Sequence, residues 1–371
     1  MVKILHTADI HLGAKFSGLG NKGASQREQL RATFKNIIAT AIDERVNIVL
    51  IAGDLFDANQ QPQGNIDLVI EQFNLLGSNN IPVCLIPGTH DSLDSSSIYR
   101  KVDFEGRCSN LKIFADENIS CKEYPGFDLT VYGKPNLSNR SYISPLKGLT
   151  PSTSSKFHIA MAHGAFYIPG KAAKDDHVFQ LEEIKSSGMH YLALGHWHEI
   201  YQCSEEPPAW YSGPPEWIPD QRERGAVLLV SLSDSGKVNV ETKMVGLRDY
   251  DEVAIDMNEI QDLAKLKVRI SEGANQNLIR KAILKGLRDA GLIVNPEELE
   301  TELGEKFFHL KVSNQSHVKL KEISESTYEK QLIKAKFIKL MNEKIASSEG
   351  KEKEIAESAL QYGMAFLEGS L

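Results

Sequence analysis

Five apolar runs, each followed at once by histidine or aspartate, constrain the fold of this chain more than any other feature. With the polar residues that follow them, the runs are VKILHTADIH, NIVLIAGDLFD, IPVCLIPGTHD, FHIAMAHG and YLALGHWHE. Segments with apolar residues at helical spacing, 29–45 and 66–76, stand between the first three runs. Near-continuous apolar strands that alternate with helices are typically buried on both faces. The pattern therefore predicts a layered α/β fold, with β-sheets flanked by helices.

The polar residues at the ends of these runs are expected to meet. If the five strands lie side by side, their carboxyl ends form one rim, and ligands of α/β folds gather beyond that rim. The residues that would converge there are Asp9, His11, Asp54, His90, His163, His196 and His198. Asp9 and His11 are two residues apart, as are the last two histidines, and on an extended segment residues at this spacing point to the same face.

A cluster of carboxylates and imidazoles of this size is electrostatically costly unless a cation sits in it. Oxygen and imidazole donors without thiolates suit Mn²⁺, Fe²⁺ or Zn²⁺ better than Ca²⁺ or Cu⁺. The donors outnumber the needs of one ion, and a central carboxylate could bridge two ions about 3.5–4 Å apart. The sequence thus predicts a dinuclear hydrolase. Mn²⁺ is the expected ion, and Fe²⁺, Mg²⁺ and Zn²⁺ remain open.

Length and charge limit the alternatives. A chain of 371 residues exceeds the roughly 250–300 residues of a single core, so more than one domain is expected. The formal net charge of −8 argues against binding of polyanions by the whole surface, so contact with nucleic acid requires a local patch or bound cations. No stretch approaches the ~20 apolar residues of a membrane span, and the N-terminal run is too short for a signal peptide. We therefore expect a cytoplasmic protein without membrane contact.

The polar motifs resemble, in order and spacing, those of the calcineurin-like metallophosphoesterases. The matching motifs are Asp9-x-His11, Gly53-Asp54-x-x-Asp57, Gly88-Thr89-His90-Asp91, His163-Gly164 and Gly195-His196-x-His198. Within that family, the segments HTADIHLG, GDLFD, WYSGPPEW and RGAVLLV are similar to the bacterial and archaeal SbcD-like DNA-repair exonucleases. The resemblance covers about the first 245 residues and implies a two-metal-dependent DNA nuclease that hydrolyses phosphodiester bonds.

The resemblance also implies a role for each motif residue. The first ion would be held by Asp9, His11, Asp54 and His198, and Asp54 would bridge to the second ion. The second ion would be held by His163 and His196. Asp57 would accept a hydrogen bond from one nitrogen of His90, whose other nitrogen would protonate the leaving oxygen or hold the phosphoryl group. Asp91 is expected to brace the loop.

Thr89 departs from the family pattern, which has asparagine at this position. Its hydroxyl can coordinate a cation, but the oxygen lies closer to the backbone than an amide oxygen would. Three interpretations stay open: Thr89 is a tolerated ligand of the second ion, that ion binds only with substrate, or the site is too poor for catalysis. Two alternative functions follow. The chain could hydrolyse nucleotides or other small phosphodiesters, or it could be a scaffold that binds DNA or an ATPase with an impaired second metal site.

The sequence beyond the motifs predicts two further parts. We predict a metallophosphoesterase domain at 1–248, a small α+β capping domain at 249–320 and a C-terminal helical hairpin at 321–371. In the capping domain, 266–270 and 307–312 are predicted as strands and 278–290 as an amphipathic helix. The resemblance implies that this domain engages DNA.

Two apolar stripes at helical spacing predict the C-terminal hairpin. The first stripe comprises Tyr328, Leu332, Ala335, Ile338, Met341 and Ile345, and the second comprises Ile355, Ala359, Tyr362 and Phe366. In SbcD-like proteins a comparable tail binds the coiled-coil base of an SMC-like ATPase, so the resemblance implies such a partner. Packing of both stripes on the chain's own capping domain is the alternative. The family also forms dimers, so a homodimer stays open.

Overall fold

The computed structural model describes residues 1–170, 173–219, 221, 224–289, 291–318 and 332–367. These residues form two units, Met1–Tyr250 and Asp251–Leu371. The finer division into a capping domain and a C-terminal segment at 320/321 stays a prediction, because 319–331, with Tyr328 of the first stripe, lie outside the described residues.

The first unit contains two six-stranded sheets, with the strand orders β12-β11-β1-β2-β3-β4 and β5-β6-β7-β8-β10-β9. The strands are β1 Val2–Thr7, β2 Ile48–Ala52, β3 Val83–Ile86, β4 Leu111–Ile113, β5 Ser120–Tyr124, β6 Leu129–Gly133, β7 Phe157–His163, β8 Tyr191–Gly195, β9 Tyr201–Glu205, β10 Pro208–Tyr211, β11 Ala226–Leu232 and β12 Val238–Met244. The helices are α1 Gly23–Asp43, α2 Gln63–Ser78, α3 Ile98–Lys101, α4 Phe104–Arg107 and α5 Leu181–Ser186. The predicted layered α/β sandwich is therefore confirmed.

The five apolar runs do not lie side by side in one sheet. Strands β1, β2 and β3 belong to the first sheet, and β7 and β8 belong to the second. One buried apolar cluster joins the two sheets, and it includes Ile4, Leu50 and Ile86 from the first and Ile159 and Ala193 from the second. Because the sheets pack face to face, the ends of all five strands can still reach a common edge.

A buried histidine also links the two sheets. Nδ1 of His6, in β1, lies 2.9 Å from the hydroxyl of Tyr191, and Nε2 lies 3.2 Å from the main-chain oxygen of Leu194, both in β8. Since a carbonyl only accepts, Nε2 carries the proton and Nδ1 accepts from the tyrosine hydroxyl. Burial lowers the pKa of His6 from 6.5 to about 3, so the link is made by a neutral imidazole.

Acid should destabilise the fold through His6. Between its unfolded pKa of 6.5 and its folded pKa of about 3, the unfolded chain binds a proton that the folded chain does not. The free energy of unfolding should therefore decrease as the pH is lowered through this window, by up to about 1.4 kcal/mol per pH unit. Urea titrations of wild type and His6→Gln between about pH 5 and pH 7 should give a shallower pH slope for the variant. Equal slopes would contradict this account.

The second unit is a small α+β arrangement. Its strands are β13 Asp249–Asp256, β14 Leu278–Lys285, β15 Leu287–Arg288, β16 His309–Asn314 and β17 His317–Val318, and its helices are α6 Leu263–Ser271, α7 Pro296–Leu303, α8 Leu332–Ala346 and α9 Gly350–Leu367. Strand β14 is central in the sheet β13-β14-β16. None of the helices in the described ranges combines the length and apolar character needed to cross a membrane.

Two of the three local predictions in this unit are wrong. Residues 266–270 lie in helix α6, where Asp262 caps the first turn by accepting from the main-chain nitrogen of Lys265, 2.8 Å away. Residues 278–290, predicted as a helix, contain β14 and β15. In β14 the residues Leu278, Ala282 and Leu284 all join the buried cluster of this unit, as the alternation of a central strand allows. The predicted strand 307–312 overlaps β16.

The two C-terminal stripes lie on two helices that pack on one another, but Ile355, Tyr362 and Phe366 of the second predicted stripe are exposed and do not form the contact. Leu360 and Met364 of α9 form the buried centre of the contact, and Ile338, Met341 and Ile345 of α8 pack against them. Helix α9 also contacts β17, where the rings of Tyr362 and His317 lie 6.1 Å apart. The hairpin therefore packs in part on its own unit.

Candidate metal centre

The loops that follow β1, β2, β3, β7 and β8 meet at one edge of the sandwich. Side-chain atoms that could ligate a metal lie close together there. One group comprises Asp9, His11 and His198, and another comprises Asp9, Asp54 and His163. Thr89 joins them through its hydroxyl, 3.2 Å from Oδ2 of Asp54. The main-chain nitrogen of His196 donates to both carboxylate oxygens of Asp9, at 3.0 and 3.1 Å. The structure therefore brings six of the predicted ligand side chains together, and the ring of the seventh, His196, lies 5.3 Å from that of His163.

The backbone at this edge is not extended, contrary to the expectation for Asp9 and His11. Both residues have left-handed φ angles, 53° and 50°, as does Asp54 with 52°. Main-chain hydrogen bonds hold this geometry, from Asp9 to the oxygen of Gly53 at 3.1 Å and from His11 to that of Asp54 at 3.0 Å. Left-handed residues other than glycine cost free energy and cluster at functional sites. The loops after β1 and β2 thus fix each other.

One carboxylate oxygen lies at the centre of the site. Oδ2 of Asp54 is 3.2 Å from Nε2 of His163 and 3.8 Å from Nε2 of His11. The other oxygen, Oδ1, accepts from the main-chain nitrogen of His90 at 2.8 Å. Gly88 makes room for this carboxylate, because a Cβ atom there would collide with it. Asp54 is therefore the group placed to bridge two cations.

The charges of the site depend on burial and on close pairs. Burial alone would raise the pKa of Asp54, but His163 and His11 hold it well below its usual range. Burial alone would lower the pKa of His163, but Asp54 outweighs it and raises the pKa to about 9. Burial alone would also lower the pKa of His11, but the nearby carboxylates of Asp57 and Asp54 outweigh it and raise the pKa. Burial raises the pKa of Asp9 and lowers that of His198 to about 3.

These side chains fit a pair of divalent cations. Nε2 of His11 is buried and has no hydrogen-bond partner among the described residues, although it faces Asp54. Nδ1 of His163 donates to the main-chain oxygen of Ala52 at 2.9 Å, which turns Nε2 toward Asp54 and fixes it as the free ligand atom. Carboxylate oxygens and imidazole nitrogens around a shared aspartate suit Mn²⁺, Fe²⁺ or Zn²⁺.

His90 lies beside the cluster, and its contact with Asp57 differs from the predicted one. Nδ1 of His90 donates to the main-chain oxygen of Asp57 at 3.1 Å, whereas the Asp57 carboxylate is 3.9 Å away. That carboxylate instead lies 3.3 Å from Nδ1 of His11. Asp57 therefore orients His90 through its backbone and faces His11 through its side chain. The His90 side chain is half exposed.

Asp91 braces the loop after β3, as expected. Its buried carboxylate accepts from the main-chain nitrogens of Gly88 at 2.7 Å and Phe56 at 3.1 Å, and from the hydroxyl of Tyr99 at 2.6 Å. Burial raises its pKa to about 6. These contacts connect the loops after β2 and β3 and leave Asp91 no evident role in the chemistry.

The sequence analysis did not identify Asp176. Oδ2 of Asp176 lies 3.1 Å from Nε2 of His196, and this hydrogen bond is the main reason that the pKa of Asp176 is lowered. Asp176 stands in a loop between β7 and α5, with no apolar run before it. The acidic pair Asp175-Asp176, following the His163 motif, was the only available signal.

A sequence model of the family described as "Calcineurin-like phosphoesterase" matches residues 2–199. The chain is 28% identical over 275 residues to an uncharacterized metallophosphoesterase, YhaO, from Bacillus subtilis, covering 71% of this chain and 65% of that protein. It is 27% identical over 288 residues to the DNA double-strand break repair protein Mre11 of Aeropyrum pernix, covering 70% and 64%. It is 23% identical over 320 residues to the protein of the same name from Methanopyrus kandleri, covering 81% of this chain and 67% of that protein. The match thus spans just under two thirds of the length of the first two relatives.

Proposed function

Because the chain belongs to the calcineurin-like phosphoesterase family, we propose that it is a two-metal phosphodiesterase that cleaves DNA. Membership of the family supports a metal-dependent hydrolase with a dinuclear divalent centre. The observation that carries the proposal is Oδ2 of Asp54, which faces Nε2 of both His11 and His163. A shared carboxylate between two groups of ligands is what a pair of bridged ions requires.

Each ion has its own set of ligands in this proposal. Asp9, His11, Asp54 and His198 would hold the first ion, and Asp54, Thr89, His163 and His196 would hold the second. When bound, such a pair supplies an activated water and neutralises the charge that develops on the phosphoryl oxygens. Mn²⁺ is the ion we expect, with Fe²⁺, Mg²⁺ or Zn²⁺ as alternatives.

His90 supplies the proton for the leaving oxygen in this proposal. Its Nδ1 is committed to the main-chain oxygen of Asp57, so Nε2 is the nitrogen that can reach a substrate. The half-exposed position of the ring gives a substrate access to it. A positioned imidazole of this kind contributes about 10²–10⁴-fold to a proton-transfer step.

DNA is the proposed substrate because several relatives carry the name of a DNA double-strand break repair protein. The formal net charge of −8 does not favour DNA across the surface, so contact with the phosphate backbone requires a local basic patch or the cations of the site itself. Robust cleavage of linear duplex or single-stranded DNA with Mn²⁺, absent in Asp54→Ala, would support this substrate. Turnover of bis(p-nitrophenyl) phosphate without any cleavage of DNA would instead assign the chain to small phosphodiesters.

An SMC-like ATPase is the proposed partner of the C-terminal helices. Ile333 and Leu340 of α8 and Ile355 and Phe366 of α9 are 55–76% exposed, although the helices pack on one another. Such residues form the apolar face that a helix-in-groove or coiled-coil contact uses. Size-exclusion chromatography with a purified ATPase of this class tests the proposal. Binding that survives Ile355→Asp and Ile333→Asp would place the interface elsewhere, and self-association of the chain alone would indicate a homodimer.

Thr89→Asn should change the affinity of the second ion only modestly. The Thr89 hydroxyl already lies 3.2 Å from Oδ2 of Asp54 and 3.4 Å from Nε2 of His163, so it reaches the place where an amide oxygen would act. We expect a change of less than about tenfold in Mn²⁺ affinity and in hydrolysis, since one neutral oxygen replaces another. Titration calorimetry and a cleavage assay check this. Activity that appears only in the variant would show that the natural chain is a scaffold with a disabled site.

A further inference from the structure

Nε2 of His196 is held by a residue that lies outside the motifs. Oδ2 of Asp176 is 3.1 Å from Nε2 of His196. The Asp176 side chain is 29% exposed and the His196 side chain is 19% exposed. The main-chain nitrogen of His196 is fixed separately, by the two oxygens of Asp9. With Nε2 engaged in this way, Nδ1 is the ring nitrogen that remains for a cation.

The segment that carries Asp176 is fixed on two sides. On one side, the main-chain oxygen of Asp176 accepts from Ala165, two residues after His163, at 3.1 Å. On the other, the main chain of Ser141 donates to Asp175 at 2.7 Å and accepts from His177 at 3.1 Å. Arg140 adds an ion pair with Asp175 at 3.0 Å. The carboxylate of Asp176 is therefore presented by a braced backbone and not by a free loop.

We propose that Asp176 is a positioning residue, which holds the His196 imidazole so that Nδ1 is its metal-ligand atom. This inference rests on the proposed two-ion function. A carboxylate on the outer nitrogen of a ligand histidine fixes the tautomer and the ring orientation, and it raises the basicity of the inner nitrogen. Because His196 belongs to the ligands of the second ion, the effect of Asp176 should be confined to one of the two ions.

The test compares Mn²⁺ binding in wild type, Asp176→Ala, Asp176→Asn and the control Asp67→Asn. Asp67 also has a nitrogen-bearing partner, the guanidinium of Arg107 at 3.8 Å, but it lies on the exposed face of α2. Titration calorimetry should show one ion bound about 10–100-fold more weakly in Asp176→Ala, with the other ion unchanged. The asparagine variant should lose less Mn²⁺ affinity, because its amide oxygen can still accept a hydrogen bond from Nε2. The control should bind both ions with wild-type affinity.

Electron paramagnetic resonance gives a second measure that does not depend on activity. At an Mn²⁺ concentration that fills both wild-type sites, the spin-coupled signal of a dinuclear pair should weaken in Asp176→Ala and be replaced by a mononuclear signal. Unchanged affinities in Asp176→Ala, or an equal loss for both ions in the isosteric Asp176→Asn, would overturn the positioning role. A wild type that binds fewer than two ions would refute the proposed function, and this inference would fall with it.

Discussion

Asp54→Ala should abolish binding of both divalent ions and reduce phosphodiester hydrolysis by at least about 10³-fold. Oδ2 of Asp54 lies 3.8 Å from Nε2 of His11 and 3.2 Å from Nε2 of His163, so it faces both imidazoles. Its loss removes a ligand from each ion at once and also removes the acceptor of the His90 main-chain nitrogen. Metal ions supply several kcal/mol of transition-state stabilisation, and about 4 kcal/mol corresponds to roughly 10³-fold in rate.

Two further variants make this first prediction decisive. Asp54→Asn keeps the shape of the side chain and should give nearly the same loss, because the bridging charge is what it removes. Asp67→Asn, on the exposed surface of α2, should leave binding and rate unchanged. Calorimetry with Mn²⁺ and the rate of DNA cleavage are the measurements. Two ions bound at wild-type affinity in Asp54→Asn would contradict a bridging role.

His90→Ala should reduce DNA cleavage by about 10²–10⁴-fold while both ions stay bound. The substitution keeps the hydrogen bond from the main-chain nitrogen of residue 90 to Asp54. It also leaves the contact between the Asp57 carboxylate and His11 unchanged. The loss should depend on the leaving group. A sugar oxygen needs a proton as it departs, whereas p-nitrophenolate does not, so turnover of bis(p-nitrophenyl) phosphate should fall by less than about tenfold.

His190→Ala is the matched control for this second prediction. The His190 ring accepts from the main-chain nitrogen of His158 at 3.1 Å, away from the cluster, and its loss should not alter the rate on either substrate. Equal losses on DNA and on the chromogenic ester in His90→Ala would show that His90 holds the phosphoryl group instead of protonating the leaving oxygen. Retained DNA cleavage would exclude both roles.

The parts of the fold that depend on local pattern could be predicted from the sequence. Apolar runs such as Ile48–Ala52 and Phe157–His163 are strands because they are mainly apolar and are buried on both faces. Their distribution between two sheets could not be predicted, since a strand buried on both faces has the same pattern in either sheet. Residues 266–270, predicted as a strand, form part of a helix, and residues 278–290, predicted as a helix, contain two strands. Periodicity alone does not distinguish helix from strand in such short apolar segments.

The composition of the site was predictable, but its geometry was not. Side chains such as Asp54 and His163 follow apolar runs directly, so their convergence follows from the architecture. The left-handed backbone of Asp9 and His11 depends on main-chain acceptors in the loop after β2, more than 40 residues away. Asp176 reaches His196 only because its loop is braced against Ser141 and Ala165, and no local pattern carries that information.

The metal content of the wild-type chain tests the central claim most directly. The protein would be stripped with chelator, loaded with excess Mn²⁺, separated from free metal and assayed by elemental analysis beside Asp54→Asn. Two ions per chain in wild type, and fewer than one in the variant, are the result expected of a centre bridged by Asp54. A single ion in wild type, or the same content in both proteins, would contradict it.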